Sequence, residues 1–158
     1  MVTHLDSVDK VIWVLPLLGV LDIASTLYAE SLGYSLLIYE AGGMARFFVT
    51  AGLTYVYVVI YLLFLCVFSY GLWYIKNKKL NASNSLDKLV FLLLVGVACY
   101  AYIRLTVAFT INFLLPYSGT MQIPFFWVTV IVYLSTAFTL VLYLWRDVAM
   151  WVTQNASK

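Results

Sequence analysis

Asp22, Thr26 and Glu30 recur at every fourth residue of LDIASTLYAE, and Ser25 stands beside them, inside an otherwise apolar stretch. On an α-helix this spacing puts all three on one face. A second ionisable group, Arg104, interrupts the apolar run YIRLTVAF, and Asn112 follows it eight residues later on the same helical face. Two carboxylates, two hydroxyls and a guanidinium in apolar surroundings have two chemical uses. They form an ion pair that holds helices together, or they line a path for a proton, an ion or a polar solute.

Depth bears on which groups meet. Counted from Lys10 at the helical rise, Asp22 stands about 18 Å up, Thr26 about 24 Å and Glu30 about 30 Å. Counted from Lys88, Arg104 also stands about 24 Å up. The expectation is that Arg104 pairs with Asp22, Glu30 or both, since a guanidinium fork serves two acceptors. Asn112 either extends the polar strip or caps the helix end before Pro116. A second charged pair, Glu40 and Arg46, falls in the connection that follows the first helix.

The elements that must position these groups follow from composition. The chain of 158 residues is 65% hydrophobic and 10% charged, whereas a soluble domain carries about 25% charged residues. Such a surface is matched to lipid. Four apolar stretches, Val11 to Ala29, Arg46 to Ile75, Leu89 to Leu115 and Pro124 to Trp145, each reach or approach the ~20 residues that cross a bilayer core as a helix. Barrel strands would alternate polar and apolar residues, and these runs do not. The fold class expected is all-α, a single membrane domain built as a four-transmembrane-helix bundle.

Lys76, Lys78, Lys79 and Lys88 cluster in KNKKLNASNSLDK, while the other two connections hold almost no lysine or arginine. Basic residues stay on the cytoplasmic side during insertion, which places this loop and both termini inside. Trp13, Trp73, Tyr74, Trp145 and Trp151 lie near span ends, as expected of headgroup anchors on that side. MVTHLDSVDK lacks the basic start and small-residue cleavage site of a signal peptide, so the first span is expected to be retained. The SLGYSLLIYEAGG segment is expected to lie in the outer interface, and MWVTQNASK to leave the membrane after the fourth span. Asn81-Ala-Ser and Asn155-Ala-Ser match the glycosylation acceptor pattern but fall on the cytoplasmic side.

Several chemistries lack their residues. The one histidine, His4, precedes the first span, so histidine-based haem, copper and zinc sites cannot be built within the chain. No nucleotide-binding, metalloprotease or serine-hydrolase motif occurs. Cys66 and Cys99 sit in spans and form no C-x-x-C pair, the pattern of small buried hydrophobes. A hard cation held by Asp22, Glu30 and Glu40 is disfavoured by Arg104 nearby. The formal charge of +2 without a basic stripe excludes nucleic acid. No metal or cofactor is expected.

The order Asp22, Ser25-Thr26, then Tyr39-Glu40-Ala41 and Arg46 resembles a family of small archaeal and bacterial polytopic membrane proteins to which no activity is assigned. Asp22, Thr26 and Glu40 match its pattern, while Gly42-Gly43 replaces its Asn-Pro, and the match covers residues 21–49. The resemblance implies a prokaryotic membrane protein with a conformationally particular outer segment. For function, three expectations remain. The first is a non-catalytic subunit stabilising a larger complex of respiratory or membrane monooxygenase type, with other integral membrane subunits as partners. The second is a small transport subunit working as a homo-oligomer, with Asp22, Glu30 and Arg104 on the path. The third is a lipid- or quinone-directed enzyme using Glu30, Glu40 and Arg46.

Overall fold

The computed structural model describes residues 6–33, 47–48, 50–81, 84–117 and 125–153. Within them the chain is helical, and four helices are long and apolar enough to cross a membrane. They are α1 (Ser7–Ser31), α2 (Thr54–Tyr74), α3 (Ser85–Leu114) and α4 (Phe125–Thr153). A π-helical turn, Ile75–Lys79, prolongs α2, and a 3-10 turn, Leu115–Tyr117, prolongs α3.

Local chemistry sets the helix starts. Asp6 caps α1 by accepting from the Asp9 N–H at 2.9 Å, and Asn84 caps α3 by accepting from the Leu86 N–H at 3.1 Å. Each satisfies a donor that the first helical turn leaves open.

Two boundaries differ from the apolar stretches. The second span does not run from residue 46: the backbone breaks at Gly52, whose φ is +73°, and α2 begins at Thr54. The Leu53 N–H reaches back to the Phe48 carbonyl at 2.7 Å, closing a preceding helical turn in the manner of a glycine C-cap. Hydropathy does not register such a break, because Gly52 and its neighbours are all apolar or small. The fourth span does not end at Trp145 either. It continues to Thr153 because Trp151 stacks on Phe91 at 4.0 Å between ring centroids, and the Lys88 ammonium donates to the Val152 carbonyl at 2.7 Å.

Helix α1 is the centre of the molecule. It packs most heavily on α3 and next on α2, while α4 leans chiefly on α3, and α2 and α4 scarcely meet. The arrangement is an open bundle with an α1–α3 core. Ile12 and Leu15 from α1 and Phe91 and Ala98 from α3 are almost completely buried, whereas α4 adds only Leu140 and Leu144. Helices α1 and α2 approach closely at Gly19, where a Cβ would run into a Leu65 methyl. A side chain at that crossing would have to displace the end of the Leu65 side chain.

One end of the bundle, here the lysine end, gathers the start of α1, the end of α2, the start of α3 and the end of α4. Trp13 and Trp73 pack there with centroids 6.2 Å apart. Trp127, at the start of α4, stands at the opposite, far end and is exposed. Tryptophans therefore stand at both ends.

Candidate functional site

The far half of the bundle assembles a polar node around Asp22. Its carboxylate accepts from the Tyr61 hydroxyl of α2 at 3.3 Å and from the Asn112 amide of α3 at 3.3 Å. The same amide donates to the Thr26 hydroxyl oxygen at 2.9 Å. Thr26 and Ser25 pass their own protons to the Asp22 carbonyl, at 2.9 and 2.8 Å. Three helices thus meet at one carboxylate, and each contact to it comes from a neutral donor. Ser25 is buried, so its hydroxyl is consumed by the helix backbone rather than offered to a ligand.

The expected partner of this carboxylate is elsewhere. Arg104 is exposed and, among the described residues, makes no ion pair with Asp22, Glu30 or any other carboxylate. Equal depth for Thr26 and Arg104 requires Lys10 and Lys88 to stand at one height. The Asn112–Thr26 hydrogen bond shows otherwise: the residue of α3 level with Thr26 is Asn112, and Arg104 lies eight residues, about 12 Å, closer to the lysine end. Arg104 shares its face of α3 with exposed Leu93, Val97 and Tyr100, and its charge still acts on Asp22 from beyond ion-pair distance. Asn112 extends the polar strip and does not cap α3. Glu30 is partly buried and forms no ion pair among the described residues. Glu40 and Arg46, with the segment that carries them, lie outside the described residues.

Among the described residues, the buried ion pair sits at the lysine end. The Lys76 ammonium contacts Asp6 and also Asp9, the latter at 2.8 Å. The side chains of Lys76 and Asp9 are 3% and 8% exposed, too little for water to screen the pair. Asn77 adds a bond to the Asp9 carboxylate at 3.1 Å, and Asp147 of α4 accepts from the Ser7 N–H at 2.8 Å. A carboxylate at that position also complements the positive end of the α1 dipole. With Lys88 on the Val152 carbonyl, this polar knot joins all four helices. The sequence puts Lys76 in the basic connection after the second span, and the π-helical turn carries it onto α1.

The sequence does hold a signal for this knot. Asp6 and Asp9 flank the start of one apolar span, and a lysine follows the end of the next. Antiparallel neighbours bring such positions to one end of a bundle. Tyr61 had no comparable signal, since α2 carries several tyrosines at similar spacing.

Of the cysteines, Cys66 is exposed rather than buried, Cys99 is partly buried, and both are free thiols. The Ser69 hydroxyl is buried without a hydrogen-bond partner. Among the described residues no three His, Cys, Asp or Glu side chains gather where they could hold a metal ion. Comparison of the chain with protein-family models, curated proteins and solved structures returns no match.

Proposed function

We propose that this chain is a non-catalytic integral membrane subunit whose α3 face docks against another membrane protein in a larger complex. Arg104 carries the reading. It lies 19 residues after Ser85 and 13 before Tyr117, the limits of the third candidate span, hence about 28 Å and 20 Å along the helix from its ends. A guanidinium near the middle of a ~30 Å hydrocarbon layer costs about 2.5–3.5 kcal/mol on insertion scales unless it is paired or hydrated. The chain's described carboxylates leave it unpaired, so a carboxylate or carbonyl on a neighbouring subunit would relieve that cost. Exposed Leu93, Val97 and Tyr100 beside it supply apolar contact area.

The lysine cluster supports a location in the cell membrane with both ends of the chain cytoplasmic. The resemblance over residues 21–49 supports a prokaryotic, archaeal or bacterial, setting. Native-gel migration after mild solubilisation tests the subunit reading. Co-migration with other membrane proteins, lost in Arg104→Leu while helicity and monomer stability persist, is the expected result. Migration as a lone monomer in every mild detergent would end it.

A second reading rests on a separate observation, the Asp22 carboxylate held by Tyr61 and Asn112, with the Arg104 charge acting on it but no ion pair to it among the described residues. A carboxylate held by neutral donors is free to exchange a proton or a small cation, the property a transport subunit needs. In proteoliposomes, proton or ion flux abolished by Asp22→Asn would favour it, together with a homo-oligomeric ladder on native gels.

A further inference from the structure

A cavity of about 460 Å³ opens between α1, α3 and α4. Its apolar wall comes from Val11, Val14 and Leu140, and its polar groups are arranged by proton balance. The Thr106 and Thr139 hydroxyls on its wall give their protons to backbone carbonyls one turn back, at 2.9 and 2.8 Å, as Ser135 does at 3.1 Å. The remaining polar groups, the Tyr102 and Tyr143 phenols, the Thr136 hydroxyl and the Lys10 ammonium, have no hydrogen-bond partner among the described residues. These four are donors, and no carboxylate lines the cavity.

Their placement is graded. Lys10 lies one turn into α1, at the lysine end, where a membrane-spanning bundle meets the headgroup layer. From Tyr143 to Ser135 the groove then runs eight residues along α4, about 12 Å into the apolar span. It is open at the side because α4 leans on α3 and touches α1 only lightly.

We infer that this groove is a binding site for an anionic phospholipid, with the phosphate at Lys10 and Tyr143 and an acyl chain against Val14 and Leu140. Charge complementarity selects the headgroup, since an ammonium with no ion pair among the described residues stands at the mouth. Lateral openness and apolar walls select a chain that enters from the bilayer. The site is independent of the Arg104 face and of the subunit reading.

The test uses the full chain in mild detergent, with its thermal unfolding midpoint followed as lipid is added. Dioleoylphosphatidylglycerol should raise the midpoint saturably, and dioleoylphosphatidylcholine should not. Lys10→Met should weaken the phosphatidylglycerol response about fivefold, the contribution of one lysine near an anionic headgroup. Lys79→Met, which changes an exposed lysine away from the groove, should leave it intact. Thr136→Trp, which fills the groove without touching its charge, should abolish the response. The proposal is overturned if both lipids act equally, if Lys10→Met or Thr136→Trp responds like the unaltered chain, or if inorganic phosphate or oleate alone reproduces the effect.

Discussion

Two aspartates of α1 reach across to α2, and their surroundings differ in kind. Asp9 meets a lysine, an asparagine and a second aspartate at the lysine end, and is almost sealed from solvent. Asp22, about 20 Å further along the helix, meets only a phenol, an amide and, through that amide, a threonine. The first carboxylate is neutralised where it is buried, which suits a joint. The second has only hydrogen-bond donors in contact with it and no ion pair among the described residues, which suits a site. The same residue type on the same helix therefore separates a joint from a site by whether a cation stands within ion-pair distance.

The comparison breaks most visibly at the joint. Lys76→Met leaves Asp9 buried without a cation and should cost about 3–5 kcal/mol, measured as unfolding in mixed detergent with increasing denaturing detergent. The double change Lys76→Met with Asp9→Leu should recover most of that loss, because removing both charges removes the desolvation cost as well. A double variant as unstable as the single one would show that the pair is not what holds this end.

Next in size is the crossing that lies between the two aspartates. Gly19→Leu forces a side chain into the space of Leu65 and should cost about 1–3 kcal/mol. It should also part α1 from α2, so a cross-link between cysteines placed at positions 22 and 61 should form more slowly. An unchanged cross-linking rate would mean that α2 simply slides.

At the Asp22 node the effects on stability should be smaller. Asn112→Leu removes donors to Thr26 and Asp22, and interhelical hydrogen bonds in membranes average about 0.6 kcal/mol, with about 1.7 at most. Asp22→Asn keeps the shape and leaves no buried charge, so its effect should stay within about 1 kcal/mol. If Asp22→Asn instead matches Lys76→Met in cost, the node is a second joint and the distinction between the two regions fails.

The sequence carried the broad architecture of this protein by itself. Sustained apolar runs with few charges leave no alternative to long apolar helices, because backbone polar groups in lipid must be satisfied within the segment. The i, i+4, i+8 pattern correctly put Asp22 and Thr26 on one face, since helical periodicity is local. Partner choice is not local. Arg104 and Asn112 lie on similar lines of α3 when read as a sequence, and only the axial register of two packed helices decides that the amide, not the guanidinium, meets Thr26. Lys76 looks like any loop lysine until a π-helical turn rotates it onto α1. The start of α2 at Thr54 depended on one left-handed glycine, and the end of α4 on an aromatic stack with α3. Element type follows from the chain's own periodicity; which charges are matched, and which are left over, follows from a few ångströms of offset between helices that only packing determines.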